Sequence, residues 1–569
     1  MYKLLVPLLF IFFKVNSQNQ KIRIINDSIT KLDEVVLKGN TILGNKFASK
    51  NRTGSSFYLS KAELNQFGDI DINRVLDRIP GVTVYEEDGF GLRPNISLRG
   101  TSPERSSKIT IMEDGILAAP APYSASSAYY FPLVARMSAV EVLKGSSQIQ
   151  YGPNTTGGVI NFVSSEISDS LKIGIENSYG SFKSGKLVSR ISNSNETLGY
   201  LLEYLNFNSD GFKTIEGEGN TGFDINEFLF KFKIDFFKKY NTKHTLEFKF
   251  QNYDEISNET YLGLTKIDYD SKPFYRYPST QKDNMIAYKN QYVVSYVVDF
   301  SDRFKVTTSA YNNFFRRNWY KLDDIVFEGE SQKISNVIGD PTAYENHYFF
   351  SKGIITGEEN YLKVKANNRR YLSQGIQTKI DYHWYGKNNS FNDLEIGIRV
   401  HYDEEDRLQW EDNYSMFGGI MGLKSLGPKG DQGNRISSAN ALSSYVMYKY
   451  KNKAFTFTPG LRFESINLKR YDYGKSNFTR DESNLSTREN KVSTLIPGVG
   501  MNYTFSRNFS VFGGIHRGFS PPSNSTGQRP ENSTNIELGT RFSVNKIRGE
   551  FILYQNNYKN LLGSDLAAS

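Results

Sequence analysis

The chain has no cysteine among its 569 residues. That excludes a disulfide framework, a thiolate metal site and a cysteine nucleophile. Histidine is scarce: the five are His244, His347, His383, His401 and His516, and no two stand at metal-ligand spacing. No internal run approaches the roughly 20 apolar residues that a membrane-spanning helix needs. With hydrophobic residues at 38% and a mean hydropathy of −0.51, an α-helical membrane protein is excluded. A Gly-x-Ser-x-Gly elbow is missing, and the glycine-rich stretch 152–158 lacks the Lys-Ser/Thr of a phosphate loop. No catalytic group, resident metal or cofactor is therefore expected. Charge is also undramatic. A net +8 arises from 69 bases and 61 acids spread along the chain, with no basic stripe for nucleic acid.

One apolar run is present, Leu4 to Phe13, behind Lys3 and ahead of Val15-Asn16-Ser17. A positive start, a short apolar core and small residues near a cleavage point predict a secretory signal over residues 1–17. Lys14, at the end of the run, blurs the cleavage position. Aromatic residues are abundant at 14%, with 37 Tyr and 40 Phe, in a chain that is polar overall. A transmembrane β-barrel joins these two properties, because only alternate residues of each strand meet lipid and aromatic girdles mark both interfaces.

Residues 18–48 read as a polar N-terminal segment containing one short β-prone run, Leu32-Asp33-Glu34-Val35-Val36-Leu37. Residues 49–165 carry a compact α/β pattern. A helical stretch is expected between Leu64 and Ile79, with Ile72, Val75, Leu76 and Ile79 on one face and Pro80-Gly81 as the stop. Strands are expected at Val82–Tyr85, Ile96–Arg99, Ile109–Met112, Val140–Leu143 and Val159–Val163.

From residue 166 to 569 about fifteen strands show period-two alternation. Phe230, Phe232, Ile234 and Phe236 alternate with Lys231, Lys233 and Asp235; Phe455, Phe457, Leu461 and Phe463 alternate with Thr456, Thr458, Arg462 and Glu464. A charge facing mid-membrane lipid costs roughly 2–4 kcal/mol, so the apolar set should face out and the charged set the lumen. Short links fall at Lys238–Thr242, Ser301–Arg303, Lys387–Ser390, Lys451–Lys453, Ser506–Asn508 and Asn545-Lys546, and long ones at about 209–225, 254–289, 316–374, 404–439, 466–492 and 517–532. Short and long links alternate, as the periplasmic turns and extracellular loops of an outer-membrane barrel do. A soluble sandwich would need a dry interior and shorter connections.

Six phrases between Pro80 and Asn161 then carry a resemblance: Pro80-Gly81-Val82-Thr83-Val84, Ile96-Ser97-Leu98-Arg99-Gly100, Glu113-Asp114-Gly115, Val140-Glu141-Val142-Leu143-Lys144-Gly145, Tyr151-Gly152-Pro153 and Gly157-Gly158-Val159-Ile160-Asn161. Their order and spacing resemble the plug domain of TonB-dependent outer-membrane receptors. Within that family, Gly89-Phe90-Gly91-Leu92-Arg93-Pro94-Asn95-Ile96, Arg105-Ser106-Ser107-Lys108, Ala121-Pro122-Tyr123 and Gly152-Pro153-Asn154-Thr155-Thr156-Gly157-Gly158-Val159 look most like the ferric dicitrate subgroup. The resemblance implies an all-β transmembrane barrel with an N-terminal α/β plug domain in its lumen. It implies energised import of a ferric chelate across the outer membrane of a Gram-negative bacterium, partnered by the TonB–ExbB–ExbD complex and outer-membrane lipid. A monomer is expected, and the iron is cargo rather than a cofactor. Such a barrel is expected to have about 22 strands, so the chain is expected to be incomplete at its C-terminus, with two strand edges left unpaired.

The resemblance also assigns residues. Leu32, Asp33, Glu34, Val35, Val36 and Leu37 look like the TonB box, where an extended segment can pair with a partner sheet edge. Arg99 and Lys144 match plug cations that face barrel glutamates, and Glu537 is the expected partner. A polyanionic chelate calls for arginine, whose planar fork binds carboxylates bidentately. The candidates are Arg316, Arg317, Arg369, Arg370, Arg399 and Arg407 with Gln409 on the long-link flanks, and Arg105, Ser106, Tyr123 and Ser124 on the plug. The competing explanation is that these arginines only balance Asp403, Glu404, Glu405, Asp406 and Glu411. Two other functions stay open: a receptor of this architecture for another metal chelate or cobalamin, and, from a different class, a passive porin or surface adhesin.

Overall fold

The structure is a computed structural model that describes residues 41–66, 71–238, 242–258, 260–544 and 546–561. The expected signal segment and the run Leu32–Leu37 lie outside the described residues. Seven strands build the first layer: β1 (Ser56–Ser60), β2 (Val82–Tyr85), β3 (Asn95–Leu98), β4 (Ile109–Glu113), β5 (Ile116–Leu117), β6 (Met137–Leu143) and β7 (Gly158–Ser164). Five of them form one sheet in the order β1-β6-β7-β4-β5, with β4 and β7 parallel, while β2 and β3 form a hairpin beside it. β6 and β7 are buried almost throughout, as their near-continuous apolar runs require.

Where one helical stretch is expected from Leu64 to Ile79, there are two short helices, Lys61–Asn65 and Ile72–Leu76. Each has its own start. Ser60 and Glu63 form a reciprocal capping box on the first, and the Asp71 carboxylate accepts from the Asn73 amide at 2.7 Å on the second. Ile72, Val75, Leu76 and Ile79 all enter the core of this unit. Its packing also begins earlier than residue 49: the amides of Ile42, Leu43 and Gly44 donate to the buried Glu141 carboxylate at 2.8–2.9 Å.

Fifteen strands then form the surrounding wall. They are β8 (Lys172–Tyr179), β9 (Gly185–Ser194), β10 (Leu198–Ser209), β11 (Phe223–Lys238), β12 (Thr242–Ser257), β13 (Asn284–Ser301), β14 (Phe304–Phe327) and β15 (Tyr361–Tyr385), followed by β16 (Phe391–Phe417), β17 (Gly433–Asn452), β18 (Phe455–Asp472), β19 (Ser486–Ser506), β20 (Phe509–Ser520), β21 (Glu531–Val544) and β22 (Ile547–Lys559). Each runs antiparallel to its neighbour in the chain, in barrel order. The fifteen strands close into a barrel in which β22 lies next to β8, so the two strand edges expected from the sequence to be unpaired meet one another.

Alternation decides which side chains look inward. Lys231 is 2% exposed between the half-buried Phe230 and Phe232, and Glu464 is fully buried beside the half-buried Phe463. The long links are shorter than expected from sequence. β14 runs on to Phe327 and β15 starts at Tyr361, so most of the flanks of the expected 316–374 link are strand. Above the lipid band no apolar-out pattern is needed, and a period read from hydrophobicity stops early. At this end Leu262, Tyr277, Leu322, Val337, Phe350, Leu362, Val364, Met416 and Met421 form one apolar cluster that ties the long loops together.

Candidate functional site

The plug unit is held in the lumen by buried ion pairs of opposite polarity. On one side Arg99 Nη2 donates to Glu537 Oε2 at 2.7 Å. Glu537 also accepts from the Ser146 amide at 2.9 Å. Lys144 does not join this pair; its ammonium donates to the Pro80 carbonyl at 2.5 Å. Lysine has no fork with which to reach both, and burial together with Arg99 pulls its pKa down to about 8. On the other side the acids belong to the plug. Lys249 contacts Glu113 and Asp114, each at 2.7 Å, and Lys231, opposite Lys249 in the ladder, lies 3.5 Å from Asp114. Burial alone would raise both carboxyls. The cations override it, holding Glu113 well below the carboxylate range and Asp114 at about 2.

Above the plug a different arrangement appears. Arg317 on β14, Arg369 on β15, Arg407 on β16 and Arg435 on β17 are direct cross-strand partners in three successive ladders. All four share the inward parity. Arg470 on β18, also of inward parity, faces Arg488 of β19. Like charges placed directly opposite one another destabilise a ladder, so four arginines in one row need an anion among them. The protein provides one, Glu405 on β16, whose side chain is 3% exposed. It accepts from Arg369 Nη1 at 2.9 Å and from Arg407 Nη2 at 3.0 and 3.1 Å. Among the described residues neither Arg317 nor Arg435 has an ion pair, and the buried Nε atoms of Arg317, Arg369, Arg407, Arg435 and Arg470 have no hydrogen-bond partner. A buried N–H left unpaired is costly, and four of these five belong to the row itself.

The plug packs against the row from below. Tyr129 lies under Arg317, whose guanidinium carbon is 3.7 Å from the ring centroid. Arg105 sits 5.0 Å from the Trp319 ring and 5.7 Å from Tyr129, and donates to Glu87 at 2.8 Å. Burial would raise the Tyr129 phenol, but Arg317, Arg369 and Arg105 pull its pKa below the ordinary value.

The sequence candidates therefore divide. Arg105, Arg317, Arg369, Arg407 and the buried Gln409, which donates to Asn367 at 2.8 Å, come together at the arginine row and the plug surface beneath it. Arg316 and Arg370 do not: each is exposed on the opposite strand face from its neighbour, and they oppose one another in the ladder. Adjacent residues of a strand cannot share a face. Ser106 is fully buried, its hydroxyl taken by the Ile96 amide at 2.9 Å and the Pro94 carbonyl. The amides of Tyr123 and Ser124 donate to Asp403 at 2.7 and 3.0 Å, and Arg399 donates to the Tyr123 hydroxyl at 3.1 Å. These three join plug to wall beneath the arginine row. Arg435 and Tyr129 are absent from the sequence candidates. The ladder register is the signal for Arg435, because it stands opposite Arg407, but that register is fixed only once the hairpin centre is known.

Comparison with known proteins gives the same architecture. Residues 218–569 match the family described as TonB dependent receptor-like, beta-barrel, and residues 49–159 match the TonB-dependent Receptor Plug Domain. Among solved structures, the unliganded ferric citrate transporter FecA is 20% identical with a TM-score of 0.69, over 91% of this chain and 71% of that one. The ferric yersiniabactin uptake receptor FyuA from Yersinia pestis is 15% identical with a TM-score of 0.67, over 90% and 73%. The ferric-catecholate import receptor Fiu from E. coli K12, in its open form, is 13% identical with a TM-score of 0.67, over 90% and 75%. At these identities the likeness is one of fold. The plug, the wall around it and the two family matches together place the chain among the TonB-dependent receptors, non-enzymatic plugged β-barrels of the Gram-negative outer membrane.

Proposed function

We propose that this receptor imports a polyanionic, carboxylate-bearing ferric chelate, with ferric dicitrate as the cargo that best fits. The in-register row Arg317–Arg369–Arg407–Arg435 carries the reading. Citrate carboxylates are planar acceptors that match guanidinium forks, and a chelate with several of them can bridge arginines on neighbouring strands. The aromatic faces nearby support a carboxylate rather than an aromatic cargo. Tyr129 and Trp319 are already covered by Arg317 and Arg105, and Tyr261 by Lys321 at 3.7 Å.

Cargo bound between the row and the plug apex pulls on Arg317 and Arg105, the two cations that rest on Tyr129. The plug then shifts, the segment Leu32–Leu37 becomes available in the periplasm, and a TonB–ExbB–ExbD complex supplies force by pairing with it. The buried ion pairs at Glu537 and at Glu113–Asp114 let the plug move as a unit without unfolding the wall. One receptor chain acts as a monomer, and iron passes through as cargo.

The test is uptake of radiolabelled iron, with citrate as chelator, in cells expressing the gene and in a matched deletion strain. Gene-dependent and citrate-dependent uptake, abolished by deleting residues 32–37 and by Arg369→Gln, is the expected result. Uptake that survives deletion of 32–37 would point to a passive pore. Absence of citrate-dependent uptake would eliminate this cargo.

A further inference from the structure

Glu405 is the only carboxylate, among the described residues, that pairs with the arginine row. Its position is peculiar. On the inward face of β16 it lies between Asp403, which is taken by two plug amides, and Arg407, which it binds with both oxygens. Arg369 and the Tyr371 hydroxyl complete its shell at 2.9 and 3.4 Å. Two guanidinium groups and a phenol around one carboxylate are the contacts a bound carboxylate ligand would make. Among the described residues the end members of the row, Arg317 and Arg435, have no carboxylate partner.

We propose that Glu405 is a resident stand-in for a cargo carboxylate, and that it makes the row select polyanions over monoanions. The proposal rests on the reading of the row as the anion site. A monocarboxylate offers one group and must displace an equal group already held by Arg369 and Arg407, on a strand that keeps it at high local concentration. A polycarboxylate gains more than it displaces, because it also engages Arg317 and Arg435. Glu405 then remains close to the incoming anion and repels it, so every ligand binds less tightly than the bare row would allow. Selectivity is obtained at the expense of affinity.

The test uses the purified full chain in detergent and calorimetric titration with iron-free citrate and with acetate. Glu405→Gln keeps the shape and a hydrogen-bonding amide but removes the charge. It is expected to bind citrate about tenfold more tightly and to narrow the preference for citrate over acetate. Glu405→Asp keeps the charge one methylene further from Arg369, and is expected to show a smaller gain with selectivity retained. If Glu405 merely orders the arginines, both variants bind citrate more weakly than the wild type, and that result overturns the proposal, as does unchanged or undetectable citrate binding by Glu405→Gln. The uptake experiment fails separately. Intact citrate-dependent import with no gain in either variant sinks this proposal alone, whereas the expected gain in a receptor that imports no iron citrate sinks only the cargo.

Discussion

Arg99 of the plug and Glu537 of β21 meet at 2.7 Å across 438 residues of sequence, with side chains only 4% and 1% exposed. The pair joins two layers that must stay together at rest and separate under load. Buried ion pairs suit that task, since they are weak sources of net stability against an apolar contact but are costly to break one-sidedly.

Removing one partner should therefore release the plug. Arg99→Ala leaves Glu537 buried with the Ser55 and Ser146 amides and the Ser146 hydroxyl as its remaining hydrogen-bond donors, and should cost about 3–5 kcal/mol of plug docking. Hydrogen exchange should rise in β6 and β7 while the wall strands stay protected. Lys144→Met is the matched control. Lys144 donates to Pro80 rather than to Glu537, so its removal should leave exchange near the wild-type rate. Equal effects from both would mean that Glu537 is shared between the two cations.

Strand parity predicts opposite outcomes for adjacent arginines. Arg317→Gln and Arg369→Gln, on the inward face, should each weaken citrate-chelate binding about tenfold or more, as loss of a charge-assisted hydrogen bond does. Arg316→Gln and Arg370→Gln, on the exposed face, should change it less than about twofold. A titration series on the four variants decides it. A loss with Arg316→Gln equal to that with Arg317→Gln would break the assignment of the site to the lumen.

These arginines also show how far the sequence could be read. Period-two alternation is a local signal, so the wall, its inward lysines and the Arg99–Glu537 pair were legible, the last with the help of plug phrases. Arg316-Arg317 and Arg369-Arg370 could be located but not oriented, because the surrounding residues lie above the lipid band and no longer alternate by hydrophobicity. The row itself is a property of register. Arg407 and Arg435 face one another only because the chain turns back within residues 418–432, and nothing in the local composition fixes that centre to one residue. Ser106 is a ligand-contact candidate by resemblance, yet its backbone sits at φ 53° and its oxygen serves Ile96 and Pro94. That packing is tertiary and has no sequence period.

The acidic side of the plug should set its behaviour in acid. Asp114 titrates at about 2 in the folded protein, below its ordinary range near 3.9. A carboxyl with a depressed folded pKa stabilises fully above its unfolded pKa, and that contribution is lost as pH falls through the folded value. Glu113 is shifted in the same direction. Plug docking should thus hold down to about pH 4 and weaken from there toward pH 2. Lys249→Met removes the cation that touches both acids, so docking should be weaker at neutral pH and its fall between about pH 4 and pH 2 smaller. Plug exchange measured across that range, in wild type and variant, checks both the sign and the residue.

Gly145 offers the sharpest steric test of the latch. A Cβ added there would lie 1.8 Å from Glu537 Oε1 and 2.3 Å from its carboxyl carbon, closer than any non-bonded contact allows. Gly145→Ala must therefore expel the Glu537 carboxylate from its seat beneath Ser146, taking the Arg99 pair with it, and should cost at least the 1–3 kcal/mol, roughly, of an overpacked core. Gly100→Ala is the comparison. Gly100 has φ +76° but nothing within 4 Å of the new carbon, so only left-handed backbone strain of about 1–2 kcal/mol applies. If the steric argument holds, Gly145→Ala reproduces the exchange pattern of Arg99→Ala, with the plug sheet deprotected next to an intact wall. Gly100→Ala should lower stability without that pattern. A Gly145→Ala protein whose plug remains docked would show that Glu537 can retreat without losing Arg99, and that the plug is held chiefly by the lysines on β11 and β12.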